Sequence, residues 1–266
     1  MDLFHLNFRR RINALVWARR AVVLAAVLAV WAWHRHWGGV IALVAAGLVL
    51  VGSLQAWEAS ARRQFIREAS LPSFLIGKLR AAHPQLQERD AELVLRGLRQ
   101  FFMAHLRSNR KFVAMPSKVV DAAWHEFILH TQGYQRWCAA AFGGLLHHSP
   151  AEVLGRDARR NDGLRRSWYW ACKEESIDPR KPTRLPLLFA LDAKFGVPGG
   201  FQYVPDCQAI DRQSGSDAHC GTSFSESGGG AGDAGGFGGS ESSGGDGGSS
   251  GDGGSGCGGG CGGGGD

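Results

Sequence analysis

The chain has 266 residues, 44% hydrophobic and 20% charged, with 39 glycines and a formal net charge of +6. Of these glycines, 25 follow Gln213, while all 30 Lys and Arg lie at or before Arg212 and 17 of the 24 acids lie at or before Asp211, so the first 212 residues carry +13 and the remainder −7. That split excludes a uniform globular domain, and the lack of a strict three-residue glycine period excludes a collagen-like helix.

Residues 1–20 form a basic segment, with Arg9, Arg10, Arg11, Arg19 and Arg20 against one acid, Asp2. Two uncharged apolar stretches follow, Ala21 to Trp33 and Trp37 to Trp57, separated by His34-Arg35-His36. A membrane-spanning helix needs about 20 apolar residues. The second stretch meets that length. The first does so only if Trp17, Trp31, Trp33 and Trp37 sit at headgroup level and Arg19, Arg20 and Arg35 reach out to water. Two arrangements stay open. In one, residues 21–57 form a transmembrane hairpin turning at His34-Arg35-His36. In the other, only Val40 to Trp57 spans and the first stretch lies in the interface. A cleaved signal peptide fits poorly, because Trp31-Ala32-Trp33-His34 offers no small-residue cleavage site.

Arg62, Arg63 and Arg67 follow the second stretch, and the turn carries only Arg35. The positive-inside rule then places both termini in the cytoplasm. Membrane lipids are the expected partners, with anionic headgroups attracted by the same arginines. Nucleic acid is not expected, since no aromatic and basic interleaving of a recognition motif is present.

Residues 58–212 are long enough for one domain with a real core, and their periodicity is helical. In Gln87 to Leu106, Val94, Leu98, Phe101, Phe102 and His105 recur at three- and four-residue steps. Pro116-Ser117 predicts a helix start with Ser117 as N-cap, followed by the stripe Val120, Trp124, Phe127 and Ile128. Ser149-Pro150-Ala151-Glu152 reads as a capping box. Leu164 to Glu175 carries Leu164, Trp168 and Cys172 at steps of four. Pro186 opens a helix over Leu187 to Phe195 that Gly196 closes. Phe201 to Val204 is the one extended piece. The fold class is therefore all-α: an N-terminal hairpin, a helical domain and a glycine-rich tail.

A helix through Ser117 to Thr131 puts Asp121 and His125 one turn apart with Trp124 beside them. A carboxylate at that spacing fixes an imidazole's tautomer and raises its basicity. Three uses of this cluster remain open. Asp121, Trp124, His125, Tyr134 and His148 can form a buried polar network. His125 and Cys138, with His147 or His148, can ligate zinc, supported by Asp121, Trp124 and Tyr134. Cys138 can act as a nucleophile with a His base, although burial among Trp137, Ala139 and Ala140 would leave it inert. No P-loop, His-Glu-x-x-His or nucleotide fingerprint is present, so no catalytic residue, reaction or substrate class is assigned.

Pro116, Ser117, Val120, Asp121, Trp124, His125, Ile128, Leu129, Thr131, Tyr134 and Cys138, then His147, His148 and Pro150, together resemble the core of the glycine-rich domain-containing protein-like family. Leu187 to Asp192 and Pro205-Asp206-Cys207 resemble its bacterial branch. The resemblance runs from about Leu71 to Cys207. It implies a mostly helical fold, a bacterial inner-membrane location and no established reaction. Plant members carry His-x-His after the tryptophan, where Phe127 stands here in the second position.

Residues 213–266 lack a core, and glycine, serine and acids predict a disordered, solvated chain. It carries Cys257 and Cys261, and its length suits recruitment of a protein partner. A cytoplasmic location predicts reduced thiols; reversed topology would make Cys207 and Cys220 the natural disulfide pair. The functional expectation is a membrane-anchored binding or scaffold module. The alternative is a zinc-type enzyme or sensor centred on His125 and His148.

Overall fold

The computed structural model describes residues 3–32, 37–148, 158–205, 219–221 and 224. The predicted hairpin turn, the capping box at Ser149 and nearly all of the glycine-rich tail lie outside these residues. Among the described residues, eight helices follow in order: α1 (Leu3–Ala32), α2 (Trp37–Glu68), α3 (Phe74–Ala82), α4 (Glu88–Arg107), α5 (Lys118–Leu129), α6 (Thr131–Phe142), α7 (Ala158–Glu174) and α8 (Leu187–Lys194). Two short strands, β1 (Tyr203–Val204) and β2 (His219–Cys220), pair in parallel with Tyr203 opposite His219. The fold is mostly helical, as the periodicity predicts.

The basic segment and the first apolar stretch form one continuous helix, α1. Its first turns do more than carry charge. Phe8 and Ile12, four residues apart, are buried against the domain, and Leu15 extends the stripe. Phe8 meets Phe65 of α2 with ring centroids 6.3 Å apart, and Phe65 in turn meets Trp137 of α6 at 5.6 Å. Helix α2 likewise runs unbroken through residue 58. No glycine or proline interrupts its second half, and Glu58 and Arg62 pair one turn apart at 2.8 Å.

Ala26 lies beside Gly47, where an added Cβ would stand 3.7 Å away, and Arg19 pairs with Glu58 at 2.9 Å. These contacts run in opposite directions along the two helices, so α1 and α2 are antiparallel. Small residues at the crossing let two apolar helices approach closely. Both helices are long and apolar enough to cross a membrane. Their outer faces are exposed: Val23, Leu24, Val27, Leu28 and Trp31 on α1, and Ile41, Val44, Leu48, Val49 and Leu50 on α2.

Helix α4 is the hub of the domain. Val94, Leu98, Phe101, Phe102 and Ala104 are buried on it, each at 2% exposure or less, and α2, α3, α5, α7 and α8 surround it. Gly97 permits the closest approach, since a Cβ there would fall 2.5 Å from Leu191 Cδ1 and 3.2 Å from Val120 Cγ2. Phe102 packs at a tilt against Trp137 with ring centroids 4.6 Å apart, and Phe101 against Trp124 at 4.9 Å. Trp168 of α7 anchors a second cluster with Phe189, Phe224 and Tyr203.

Side chains satisfy the helix starts. The Gln100 amide oxygen accepts from Leu188 N, and Glu175 Oε1 accepts from Leu187 N and from the Gln100 amide. The segment before α5 is held from α7, where Ser167 Oγ donates to Ala114 O and Arg166 Nε donates to Phe112 O. Gly163 lets this segment lie against α7, because a Cβ there would be 2.9 Å from Ala114 N.

Candidate functional site

The site is built on the start of α5. Ser117 is the N-cap, with its Oγ accepting from Val120 N at 3.3 Å. Behind it lies Asp192 of α8, 2% exposed. Its Oδ1 accepts from Ser117 Oγ at 2.7 Å and Val119 N at 3.1 Å. Its Oδ2 accepts from Lys118 N at 2.8 Å and Phe201 N at 3.0 Å. A carboxylate at a helix N-terminus satisfies orphan N–H groups and complements the dipole. This double cap fixes the first turn of α5, and therefore the direction of Asp121.

One turn on, His125 Nδ1 lies 3.7 Å from Asp121 Oδ2. Trp124, between them in sequence, points inward and is buried against Phe101 and Phe102. The chain breaks at His130 and α6 doubles back, bringing Tyr134 over Trp124. Trp124 Nε1 donates to Tyr134 Oη at 3.1 Å. Gly143, with φ of +80°, ends α6, and the chain returns toward α5. There Tyr134 Oη donates to Leu146 O at 2.5 Å.

That tether delivers His148. Its ring packs on Trp124 with centroids 4.7 Å apart, and its Nε2 lies 3.1 Å from Asp121 Oδ1. The rings of His125 and His148 are 4.4 Å apart. One ligand atom from each of Asp121, His125 and His148 lies within 4.8 Å of the others. Side-chain exposure grades from 16% at His148 through 31% at Asp121 to 53% at His125. The group is therefore rooted in the core on one side and open to solvent on the other.

The other sequence-predicted residues fall elsewhere. Cys138 is fully buried, and burial pushes its thiol pKa up. It belongs to the support beneath the site, interacting with Tyr134 and the backbone of Leu146. Burial, then Cys138, raises the Tyr134 phenol well above its usual range, so it acts as a neutral hydroxyl. His147 is exposed and stands outside the three-residue group. Asp121, read from sequence as a support for histidine ligands, stands level with the two imidazoles. Asp192 was legible only as part of a family-like stretch, and no local pattern marked it as a buried acceptor.

Three converging donors of N, N and O type suit zinc or iron(II). Zinc bonds of about 2.0–2.1 Å put neighbouring ligand atoms roughly 3.3 Å apart in a tetrahedron. The His148–Asp121 pair is already at 3.1 Å, and His125, the most exposed of the three, has room to close in.

No curated protein and no solved structure matches the chain. The description of the UCP032817-like family matches over residues 61–224, a span that contains α3 through α8, the two strands and all three residues of the group. The chain belongs to the UCP032817-like family.

Proposed function

We propose that this is a membrane-anchored binding module whose ligand is a divalent transition-metal ion, zinc first, held by Asp121, His125 and His148. The observation that carries the reading is the convergence of the three donor atoms within 4.8 Å on a rigidly tethered frame. Three protein ligands on an open face leave at least one position for water or a further ligand. Such a position belongs to sites that exchange ligands or activate water, rather than to closed structural sites. Trp124 supports His148 from behind, and the Trp124–Tyr134–Leu146 chain sets the approach of the loop that carries it. In this reading Cys138 and His147 are not ligands.

The anchor is the α1–α2 pair. What supports it is the length of the two helices and the exposure of their apolar faces, which a bilayer would cover. The excess of arginine at Arg9 to Arg20 and at Arg62 to Arg67 favours cytoplasmic termini, and a bacterial inner membrane follows from the family resemblance. The glycine-rich end, negative and far from the core, is the part suited to recruiting a protein partner.

The test is metal analysis of the full chain purified in detergent and exposed to zinc. Near-stoichiometric zinc is expected in the wild type and in His147→Ala. Loss is expected in His125→Ala and His148→Ala. No retained zinc in the wild type, or equal loss in His147→Ala, would sink the proposal.

A further inference from the structure

Where the two apolar helices enter the domain, two guanidinium groups share one carboxylate, and a third lies within its electrostatic reach. Arg19 Nη1 donates to Glu58 Oε2 at 2.9 Å. Arg62 donates from Nε and Nη2 to Glu58 Oε1 at 3.0 and 2.8 Å. The remaining Arg62 donor, Nη1, is taken by the carbonyls of Ala140 and Ala139 near the end of α6. Arg62 and Glu58 are buried, so this pair is a fixed frame. Arg19 is a third exposed.

The third guanidinium comes from the end of α4. His105 packs edge-on to Phe142 at 4.9 Å, which sets the end of α4 beside the end of α6, where Arg62 is bound. The chain then turns through two consecutive left-handed residues, Asn109 at φ +53° and Arg110 at φ +63°. Left-handed backbone is costly for a side chain such as arginine. Backbone bonds hold the turn: Arg110 N donates to His105 O and Lys111 N to Ser108 O, each at 3.0 Å. Among the described residues, nothing accepts a hydrogen bond from the Arg110 side chain. Its pKa is lowered by burial first, and then by the positive charge of Arg62, with Glu58 opposing and Arg19 adding. Among the described residues, Glu58 is the carboxylate that acts on Arg110, against the positive charges of Arg62 and Arg19.

The level of this cluster is informative. Arg19 stands two residues before the first uncharged stretch, and Glu58 directly follows the second. Trp17 and Trp57 are exposed at the same level, and Arg20 lies over the Trp17 ring at 5.2 Å. Tryptophan and arginine together mark the headgroup layer. Phosphate groups are concentrated at that depth, and guanidinium forks match phosphate oxygens.

We propose that Arg19 and Arg110, set by the Glu58–Arg62 frame, form a seat for the phosphate group of an anionic ligand at the membrane end of the domain. Its placement at headgroup level rests on the membrane reading above; its chemistry does not. An anionic phospholipid and free phosphate are the two sources of that group.

The experiment uses the full chain in two arms. In the first, it is reconstituted into phosphatidylcholine nanodiscs with a minor fraction of phosphatidylglycerol, and the retained lipid is measured. Phosphatidylglycerol should be enriched around the wild type and reduced about fivefold by Arg110→Gln, the factor for one interfacial arginine. Arg19→Gln should act in the same direction, and the exposed Arg96→Gln should have no effect. In the second arm, inorganic phosphate is titrated onto delipidated protein in detergent and followed by tryptophan fluorescence. Arg110-dependent binding in either arm supports the seat, and the arm that responds names the source. No Arg110-dependent binding in both arms overturns it, as does equal loss in Arg96→Gln. Failure to enter nanodiscs contradicts the membrane reading alone, and the phosphate arm then decides the seat.

Discussion

Tyr134 donates its hydroxyl to the carbonyl of Leu146 at 2.5 Å, two residues before His148. The same oxygen accepts from Trp124 Nε1, the indole on which the His148 ring rests. One buried hydroxyl therefore fixes both the loop that carries a candidate ligand and the surface that supports it.

Tyr134→Phe removes both bonds and leaves the indole N–H and the Leu146 carbonyl unpaired. The expected loss of stability is about 1–3 kcal/mol. Zinc affinity should fall by roughly 10–100-fold, the usual effect of losing a group that orients a ligand. Calorimetric zinc titration of the full chain in detergent checks this. Unchanged affinity would show that the tether does not position His148.

Asp192 accepts four hydrogen bonds with two oxygens while almost wholly buried. Asp192→Ala strips the start of α5 of these acceptors and should cost about 3 kcal/mol or more. Because α5 carries Asp121 and His125, the variant should lose zinc binding together with stability. A thermal unfolding midpoint within error of the wild type would contradict the role of the cap.

His105 is buried, and its Nδ1 lies 3.1 Å from the Lys111 carbonyl, which fits a neutral ring donating from Nδ1. Burial, the largest effect, pushes its pKa down to about 4 from the ordinary 6.5, and the Arg110 charge adds to the fall. The unfolded chain therefore binds a proton that the folded chain refuses. This contribution is fully present above pH 6.5 and is lost as pH falls from about 6.5 toward 4, amounting to about 3 kcal/mol in all. Urea unfolding of wild type and His105→Gln across that range measures it. The wild type should lose more stability than the variant; parallel curves would contradict the assignment.

Cys138 and Cys172 are buried thiols with raised pKa values, Cys172 up to about 12. Neither should be alkylated at neutral pH in the folded protein, and both should react once it is unfolded. Peptide mapping after brief iodoacetamide treatment distinguishes these states. Rapid native labelling of Cys138 would restore the nucleophile reading.

Much of the helical order was legible because single faces repeat. Val94, Leu98, Phe101 and Phe102 mark α4, and Ser117 marks the start of α5 through its own cap chemistry. The Asp121–His125 pairing was legible from helix geometry alone. His148 was grouped with that pair in the sequence alongside His147 and Cys138, but its return could not be told from theirs, because it depends on a reversal at His130, a left-handed Gly143 and a tether from Tyr134 to a backbone carbonyl. Those are tertiary facts without a local period. Cys138 drew attention as a ligand type, but its place in α6 turns it inward beneath Tyr134. The docking of Phe8 and Ile12 was masked by the arginines between them, which made residues 1–20 read as charge rather than as a packed face. Asp192 was hidden in the same way, since a buried carboxylate announces itself only through the donors it meets.

The most direct test of the metal site is X-ray absorption at the zinc K-edge on the full chain loaded with one equivalent of zinc. Coordination by Asp121, His125 and His148 predicts a first shell of nitrogen and oxygen at about 2.0–2.1 Å, with the outer-shell scattering of two imidazoles and no sulfur. A zinc–sulfur distance near 2.3 Å, or a purely hydrated ion without imidazole scattering, would contradict it.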